Sequence, residues 1–269
     1  MNVLAEIVAG VRTDLPVRMA EVSPAVLRRR AEARGPRMTP DAVGAALRGT
    51  HGVRLIAEVK RVSPAMGRLA AIERPEALAA EYVAGGAAAI SVLTEPRHFG
   101  GSLDDLRAVR DSVSVPLLRK DFIVDPYQLA ESAAAGADLV LLIVAALSGR
   151  QLDGLLKEAA EYGLAVLVET HTEQEVATAV AAGARIIGVN ARNLTTLQVD
   201  RDTFPRLAAG IPADVVTVAE SGVRGPADVG SYAGAGADAV LVGSALVIDD
   251  RPADAVAAML AAGRREEVE

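Results

Sequence analysis

The sequence predicts an α/β protein, a (β/α)8 TIM barrel with an N-terminal helical extension, and three observations lead there. Short apolar runs recur eight times: Val53–Val59, Ala88–Leu93, Val115–Leu118, Ala137–Val144, Leu164–Val168, Ala184–Val189, Val215–Ala219 and Ala237–Val242. None alternates strictly with polar residues, as befits parallel strands covered on both faces. Segments of helical spacing lie between them. The same junction also returns four times: AGGAAAI at 84–90, AAGADLV at 134–140, AAGARII at 181–187 and GAGADAV at 234–240. Each reads as a helix ending at a glycine able to take positive φ, followed by a strand.

The elements can be justified in chain order. Residues 1 to about 50 hold two expected helices, Val3–Val11 and Pro24–Ala33, separated by a Pro-containing loop. They read as an extension packed on the barrel, so that 1–269 forms one domain. Between the strands, helices are expected at Glu73–Ala84, Leu103–Asp111, Pro126–Ala135, Gln151–Tyr162 and Glu173–Ala182. Three announce their starts: Ser102 before Asp104 and Asp105, Asp125 before Pro126, and Thr172 before Glu173 and Glu175. The charged tail Arg264–Glu269 should fray. An open doubly wound sheet is the alternative architecture, but EVKRVSPAMG stands after the first strand where a G-x-G-x-x-G would belong.

Composition narrows the function. The chain has 269 residues and is long enough to bury a core without staples. With no Cys, disulfides, thiolate metal sites and a Cys nucleophile are excluded. A net charge of −7 and 3% aromatic residues argue against a nucleic-acid binder. No apolar run approaches the ~20 residues needed to span a bilayer, and the first residues lack the basic stub and apolar stretch of a leader. A cytoplasmic protein acting away from membranes is expected. His51, His98 and His171 form no H-x-x-H or H-E-x-x-H pattern, so no metal is expected.

In a barrel of this kind the chemistry gathers where the strands end. Those ends read Glu58-Val59-Lys60, Arg119-Lys120-Asp121, Glu169, Asn190 with Arg192 following, Glu220-Ser221-Gly222, and Gly243-Ser244. The chain uses 25 Arg but only three Lys, and two of the three, Lys60 and Lys120, stand at strand ends. Arg cannot release its proton near neutral pH, whereas a desolvated Lys can. Salt bridges to Glu58 or Asp121 would be the purely structural alternative. Lys157, flanked by Asp153 and Glu161 at i−4 and i+4, reads as an ordinary surface pair. Glu58 and Lys60, two apart, share a face. Glu169 enters from another strand, and a Lys acid opposite a Glu base can flank a substrate for a proton shift. Ser221-Gly222 and Gly243-Ser244 offer backbone N–H groups after strands 7 and 8, with Ser244-Ala245-Leu246 able to open a short helix: the recurrent phosphate cradle of such barrels.

Seven blocks, IAEVKRVSPAMG (56–67), SVLTEPRHFGGS (91–102), LLRKDFIVDPYQL (117–129), ADLVLLIVAAL (137–147), LVETHTEQE (167–175), IGVNARNL (187–194) and VAESGVRGPADV (218–229), resemble indole-3-glycerol-phosphate synthase of tryptophan biosynthesis. The likeness runs from about residue 3 to the C-terminal helix. It implies a lyase that closes a ring with loss of CO2 and water, converting 1-(2-carboxyphenylamino)-1-deoxyribulose 5-phosphate to indole-3-glycerol phosphate without a cofactor. Carried over motif by motif, Lys120 is the general acid and Glu169 the base of the dehydration. Lys60 binds anionic groups, and Glu58 orients it and stabilises the developing cation. Asn190 and Glu220 hold the sugar hydroxyls and the amine. Ser63, Ser221, Gly222, Gly243 and Ser244 line the substrate and phosphate pocket with Arg192 in support, and Phe99 and Phe122 wall the anthranilate ring. The partners implied are an anionic phosphate substrate and other enzymes of the pathway, with the chain a monomer. The family usually reads S-P-S-x-G after the first strand, often with Lys before the Gly. Here the loop is Ser63-Pro64-Ala65-Met66-Gly67, which puts a hydroxyl and a cation of that loop in doubt. Thr170 also replaces a commoner aliphatic residue.

Rival readings carry distinct tests. A phosphoribosylanthranilate isomerase would lean on a Cys base that this chain lacks. A Schiff-base aldolase using Lys60 or Lys120 would be trapped by borohydride. A catalytically silent phosphate binder would fail to rescue a tryptophan auxotroph.

Overall fold

The computed structural model describes residues 3–49, 51–247 and 250–264. Eight parallel strands close into a barrel: β1 (Arg54–Val59), β2 (Ala89–Leu93), β3 (Leu117–Lys120), β4 (Leu139–Ile143), β5 (Ala165–Thr170), β6 (Ile186–Asn190), β7 (Val216–Glu220) and β8 (Ala239–Val242). Each strand pairs with its sequence neighbour, and β1 closes the ring on β8, with Arg54 opposite Ala239 and Ala57 opposite Val242. The expected fold class is therefore the observed one.

The helices before and between the strands are α1 (Val3–Glu21), α2 (Pro24–Arg34), α3 (Pro40–Leu47), α4 (Pro75–Ala84), α5 (Pro96–Phe99), α6 (Leu103–Ser112), α7 (Pro126–Ala135), α8 (Gly149–Glu161), α9 (Glu173–Ala181), α10 (Thr203–Ala208), α11 (Pro226–Gly234), α12 (Ser244–Val247) and α13 (Pro252–Ala262). The junction motif has its expected cause. Gly86, Gly136, Gly183 and Gly236 all take positive φ, between 79° and 102°, where a Cβ would be strained. The three expected caps also form. Ser102, Asp125 and Thr172 accept from the backbone N–H of Asp105, Tyr127 and Glu175, each satisfying a donor that the first helical turn leaves open.

Several local expectations are corrected. The N-terminal extension has three helices, not two. α1 does not stop at Val11 but continues through Pro16 to Glu21, and α3 adds a third. Pro16 removes one backbone donor from α1. Tertiary contacts fix the turn beyond it: Tyr127 Oη donates to the carbonyls of Arg18 and Val22, and Arg18 pairs with Glu131 at 3.0 Å. The apolar run through Val144 is two elements, since β4 ends at Ile143 and a 3-10 turn, Val144–Ala146, follows. A two-stranded hairpin, Val62–Ser63 with Gly67–Arg68, stands after β1. Of the tail Arg264–Glu269, residues 265–269 lie outside the described residues. Lys157 is exposed and, among the described residues, makes no ion pair with Asp153 or Glu161.

Strand alternation builds two apolar layers. Leu55, Ala57, Ile90, Val92, Val140, Leu142, Val168, Ile187, Val189, Val240 and Val242 point outward and pack under the helices. Ile56, Ala89, Leu118, Leu139, Leu141, Ala165, Leu167, Ile186, Val216, Val218, Ala239 and Leu241 fill the inside. Val43 and Leu47 of α3 join that interior fully buried, and Arg48 donates to the carbonyls of Ala213 and Asp214 ahead of β7. α3 thus seals the end of the barrel where the strands begin. One step beyond the inner apolar layer, at the end where the strands finish, the same period-two face continues into polar residues.

Candidate active site

Because side chains alternate, the inward set on β1, β3, β5, β6 and β7 ends in Glu58, Lys120, Glu169, Asn190 and Glu220. The register sets Glu169 opposite Gly188 and Asn190 opposite Glu220, so the polar groups arrive at one level. They open into a cavity of about 380 Å³. All fourteen residues singled out in the sequence line it: Glu58, Lys60, Ser63, Phe99, Lys120, Phe122, Glu169, Asn190, Arg192, Glu220, Ser221, Gly222, Gly243 and Ser244.

At the centre, Lys120 Nζ lies 3.1 Å from Glu169 Oε2 and 3.4 Å from Glu220 Oε2. Glu169 is 1% and Glu220 2% exposed. Burial pulls the Lys120 ammonium down, but Glu169, Glu220 and Glu58 outweigh it and hold it above its ordinary value. Burial pushes Glu169 up. Lys120 and His171 reverse that and hold it well below the ordinary carboxylate range. Glu220 is pushed up to about 8 by burial, aided by the Glu169 charge and only partly offset by Lys120. One ammonium serves two buried carboxylates, and only Glu169 is fully compensated.

Lys60 does not contact this trio. Its Nζ pairs with Glu58 Oε2 at 2.6 Å, and a Cβ on Gly243 would collide with that same oxygen. Asp121 does not pair with Lys120. It accepts from buried Arg119 at 2.8 Å and from Thr94, and Arg119 also reaches Glu131 and the Gln128 carbonyl on α7. This buried cluster faces the helices and anchors the backbone on both sides of Lys120.

The far side of the cavity is built from turns. Ser221 (φ 68°) and Gly222 (φ 82°) are both left-handed. Their carbonyls accept from Tyr232 Oη and Arg201 Nε behind the turn. Successive left-handed residues form a concave backbone surface suited to an anion, and Ser244 opens α12 beside it. Burial lowers the Arg192 pKa, and Arg192 Nη1 donates to the Leu197 carbonyl. Ser63 is buried, and its hydroxyl accepts from the Ala65 N–H. Phe99 and Phe122 meet at 5.9 Å between ring centres. Met66, in the loop that departs from the expected motif, is 55% exposed on the cavity rim. Thr170 Oγ1 donates to the Gly188 carbonyl, so its hydroxyl ties β5 to β6.

Two contributors escaped the sequence reading. Val3, Leu4 and Ile7 of α1 form an apolar wall of the cavity. Their i, i+3, i+4 spacing, continued by Val8 and Val11, was the available signal. His171, which falls in no metal-ligand pattern in the sequence, lies against Glu169. Its place two residues after Glu169 could have marked it. Among the described residues no group of three or more His, Asp or Glu is placed to hold a metal ion, and no helix is long and apolar enough to cross a membrane.

Comparison with known proteins agrees with this geometry. Residues 4–259 match the family model described as indole-3-glycerol phosphate synthase. The chain is 60% identical over 263 residues to indole-3-glycerol phosphate synthase 1 of Streptomyces coelicolor, covering 98% of this chain and 96% of that one. It is 58% identical over 262 residues to the indole-3-glycerol phosphate synthase of Mycolicibacterium gilvum, covering 97% and 95%. Among solved structures, a 3-hexulose-6-phosphate synthase superposes with a TM-score of 0.64 at 19% identity, covering 78% of this chain and 99% of that one. The thiamine phosphate pyrophosphorylase of Pyrococcus furiosus superposes with a TM-score of 0.59 at 15% identity, covering 82% and 96%. At those identities the structural likeness speaks for the barrel alone.

Proposed function

The chain belongs to the indole-3-glycerol phosphate synthase family, and from that premise we propose how its residues divide the work of a decarboxylating, dehydrating ring closure. It is a lyase of tryptophan biosynthesis acting on a phosphorylated small molecule. The substrate is 1-(2-carboxyphenylamino)-1-deoxyribulose 5-phosphate, and the products are indole-3-glycerol phosphate, CO2 and water.

The phosphate sits in the turn of Ser221, Gly222, Gly243 and Ser244, with Arg192 in support. The anthranilate ring lies against Phe99 and Phe122 and the apolar wall from α1. Lys60, held by Glu58, takes the substrate carboxylate, and Glu58 stabilises the cation that develops. Ser63 orients the loop over it. Asn190 and Glu220 hold the sugar hydroxyls and the amine.

Lys120 donates its proton to the ribulose carbonyl oxygen as the ring carbon attacks. The new C–C bond makes the ring cationic, and loss of CO2 returns the electrons to it. The nitrogen lone pair then helps expel the hydroxyl formed from the carbonyl, Glu169 removes a proton from the adjacent carbon, and that proton completes the departing water. The order matters. While Lys120 is charged, Glu169 is held too acidic to be an effective base. Once Lys120 has given up its proton, Glu169 loses its strongest stabiliser and its basicity rises for the second step.

The observation that carries this division is Lys120 Nζ between Glu169 and Glu220 in a buried site. We read the chain as one unit, a monomer in the cytoplasm that works without a cofactor and binds neither nucleic acid nor membrane. Incubation with the ribulose phosphate substrate, followed by indole fluorescence, tests the reading. A fall in turnover of about 10²-fold or more in Lys120→Met and Glu169→Gln is expected. No turnover by the folded wild-type chain, or borohydride trapping of a substrate adduct on Lys60 or Lys120, would overturn it.

A further inference from the structure

We propose that His171 is the proton relay between the buried Lys120–Glu169 pair and solvent, with Nε2 facing Glu169 Oε1 at 3.4 Å and Nδ1 facing Glu175 Oε2 at 3.2 Å. This rests on the roles given above to Lys120 and Glu169.

The reaction's own balance requires such a route. The carbonyl oxygen departs as water and so takes two protons. One proton is recovered by Glu169 from the carbon beside it. The carboxylate leaves as CO2 and returns none. Each turnover therefore draws one proton from solvent. The donors and acceptors are sequestered: the Glu169 side chain is 2% exposed and that of Lys120 15%, the latter into the cavity the substrate fills. With the mouth occupied, the direct aqueous path is closed.

His171 offers the other path. It follows β5 directly, on the same face as Glu169 by strand period. Its side chain is 12% exposed, and that of Glu175, in the first turn of α9, 20%. Glu175 Oε2 holds the residue twice, accepting from the His171 backbone N–H at 2.7 Å and facing its Nδ1. The ring is thus fixed from the solvent side. On the inner side, Nε2 is buried and off the hydrogen-bond line to Glu169, so it has no formed hydrogen bond. A small rotation closes that gap once Glu169 or Lys120 changes charge.

The charged groups around the ring are Glu169 from β5 and Glu175 from α9, with Lys120 of β3 and Glu220 of β7 beyond Glu169. The 3-10 turn Val144–Ala146, packed beside α9, adds no titratable group. Burial disfavours the imidazolium, but Glu169 and Glu175 outweigh it and push His171 up to about 10. The ring therefore carries a proton to give at neutral pH, and Glu175 is placed to help restore it.

The test uses the full chain, its substrate and the fluorescence assay. His171→Ala should lower kcat at least about 10²-fold in dilute buffer, the lower edge of acid–base contributions, with KM little changed. Added imidazole should restore kcat saturably, and more so as the imidazolium fraction rises. His171→Asn, which keeps a hydrogen-bond donor but cannot pass a proton, should be as slow as His171→Ala and unresponsive to imidazole. Full activity in His171→Asn would mean that the ring only positions Glu169, and would overturn the relay. So would an unchanged kcat in His171→Ala, or a loss that imidazole does not relieve. If His171→Ala fails to fold, His171→Asn and its solvent isotope effect decide, with a larger effect than wild type expected and an unchanged one refuting. Inactivity of the wild type would instead fail the assignment of Lys120 and Glu169.

Discussion

Glu220 on β7 fills the space that a Cβ on Gly188 would need. A methyl built on Gly188 collides with Oε1 and lies 3.1 Å from the carboxyl carbon. The two strands are paired, and Gly188 is opposite Glu169 on its other side. A residue with no side chain thereby sets how close a buried carboxylate comes to Lys120. Gly188→Ala should displace Glu220 and lower kcat/KM by about ten-fold or more, on the scale of a misplaced polar group in an active site. Steady-state kinetics beside a thermal melt checks this, since the melt should move far less than the rate.

Lys120→Met keeps the length of the side chain and removes its proton. Turnover should fall by about 10²-fold or more. It also removes the ammonium that partly offsets the burial of Glu220, so that carboxyl, already raised to about 8, is pushed further toward its protonated form. Circular dichroism should show the barrel intact. Unchanged turnover would remove the acid from Lys120.

Stability should fall as pH rises. The folded state raises His171 from 6.5 to about 10, so the stability contributed by its charged form is whole below pH 6.5 and is lost as pH climbs through about 10. Glu220 is raised from 4.5 to about 8, and its folded form also binds the extra proton. Its penalty therefore grows between those values. Both slopes have the same sign, so Tm should decline from about pH 5 to about 10. His171→Gln should flatten the upper part of that decline and Glu220→Gln the lower part. A Tm rising with pH over this window would contradict both assignments.

Arg119 is fully buried with Asp121 and Glu131 as its partners. Arg119→Leu leaves Asp121 buried without its cation and Glu131 with Arg18 alone, and should cost about 3–5 kcal/mol. Urea denaturation measures it. Activity should fall as well, because Asp121 follows Lys120 directly and fixes the backbone there through the Phe122 N–H.

Much of the site was legible because a barrel turns sequence period into geometry. Glu58, Lys120, Glu169, Asn190 and Glu220 are each the last inward position of a strand, which an eye on strand ends recovers without coordinates. The repeated Gly junctions were equally readable, since positive φ is a local property of one residue. Tertiary effects were not. Pro16 argued locally for a break, but Tyr127 and Glu131, more than a hundred residues away, hold the turn beyond it. His171 looked idle because its two carboxylate partners meet it only after β5 and α9 are placed. Lys157 looked paired because its spacing permitted contact, but an exposed side chain gains little by staying in one.

The wall supplied by Val3, Leu4 and Ile7 belongs to the first turns of α1, so anything joined on the N-terminal side of that helix stands at the doorway to the substrate. A folded cargo joined just ahead of Val3 would crowd that entrance. Immobilisation or tethering is better built on the opposite end of the barrel, on the outward face of the plug that α3 provides, where nothing has to pass.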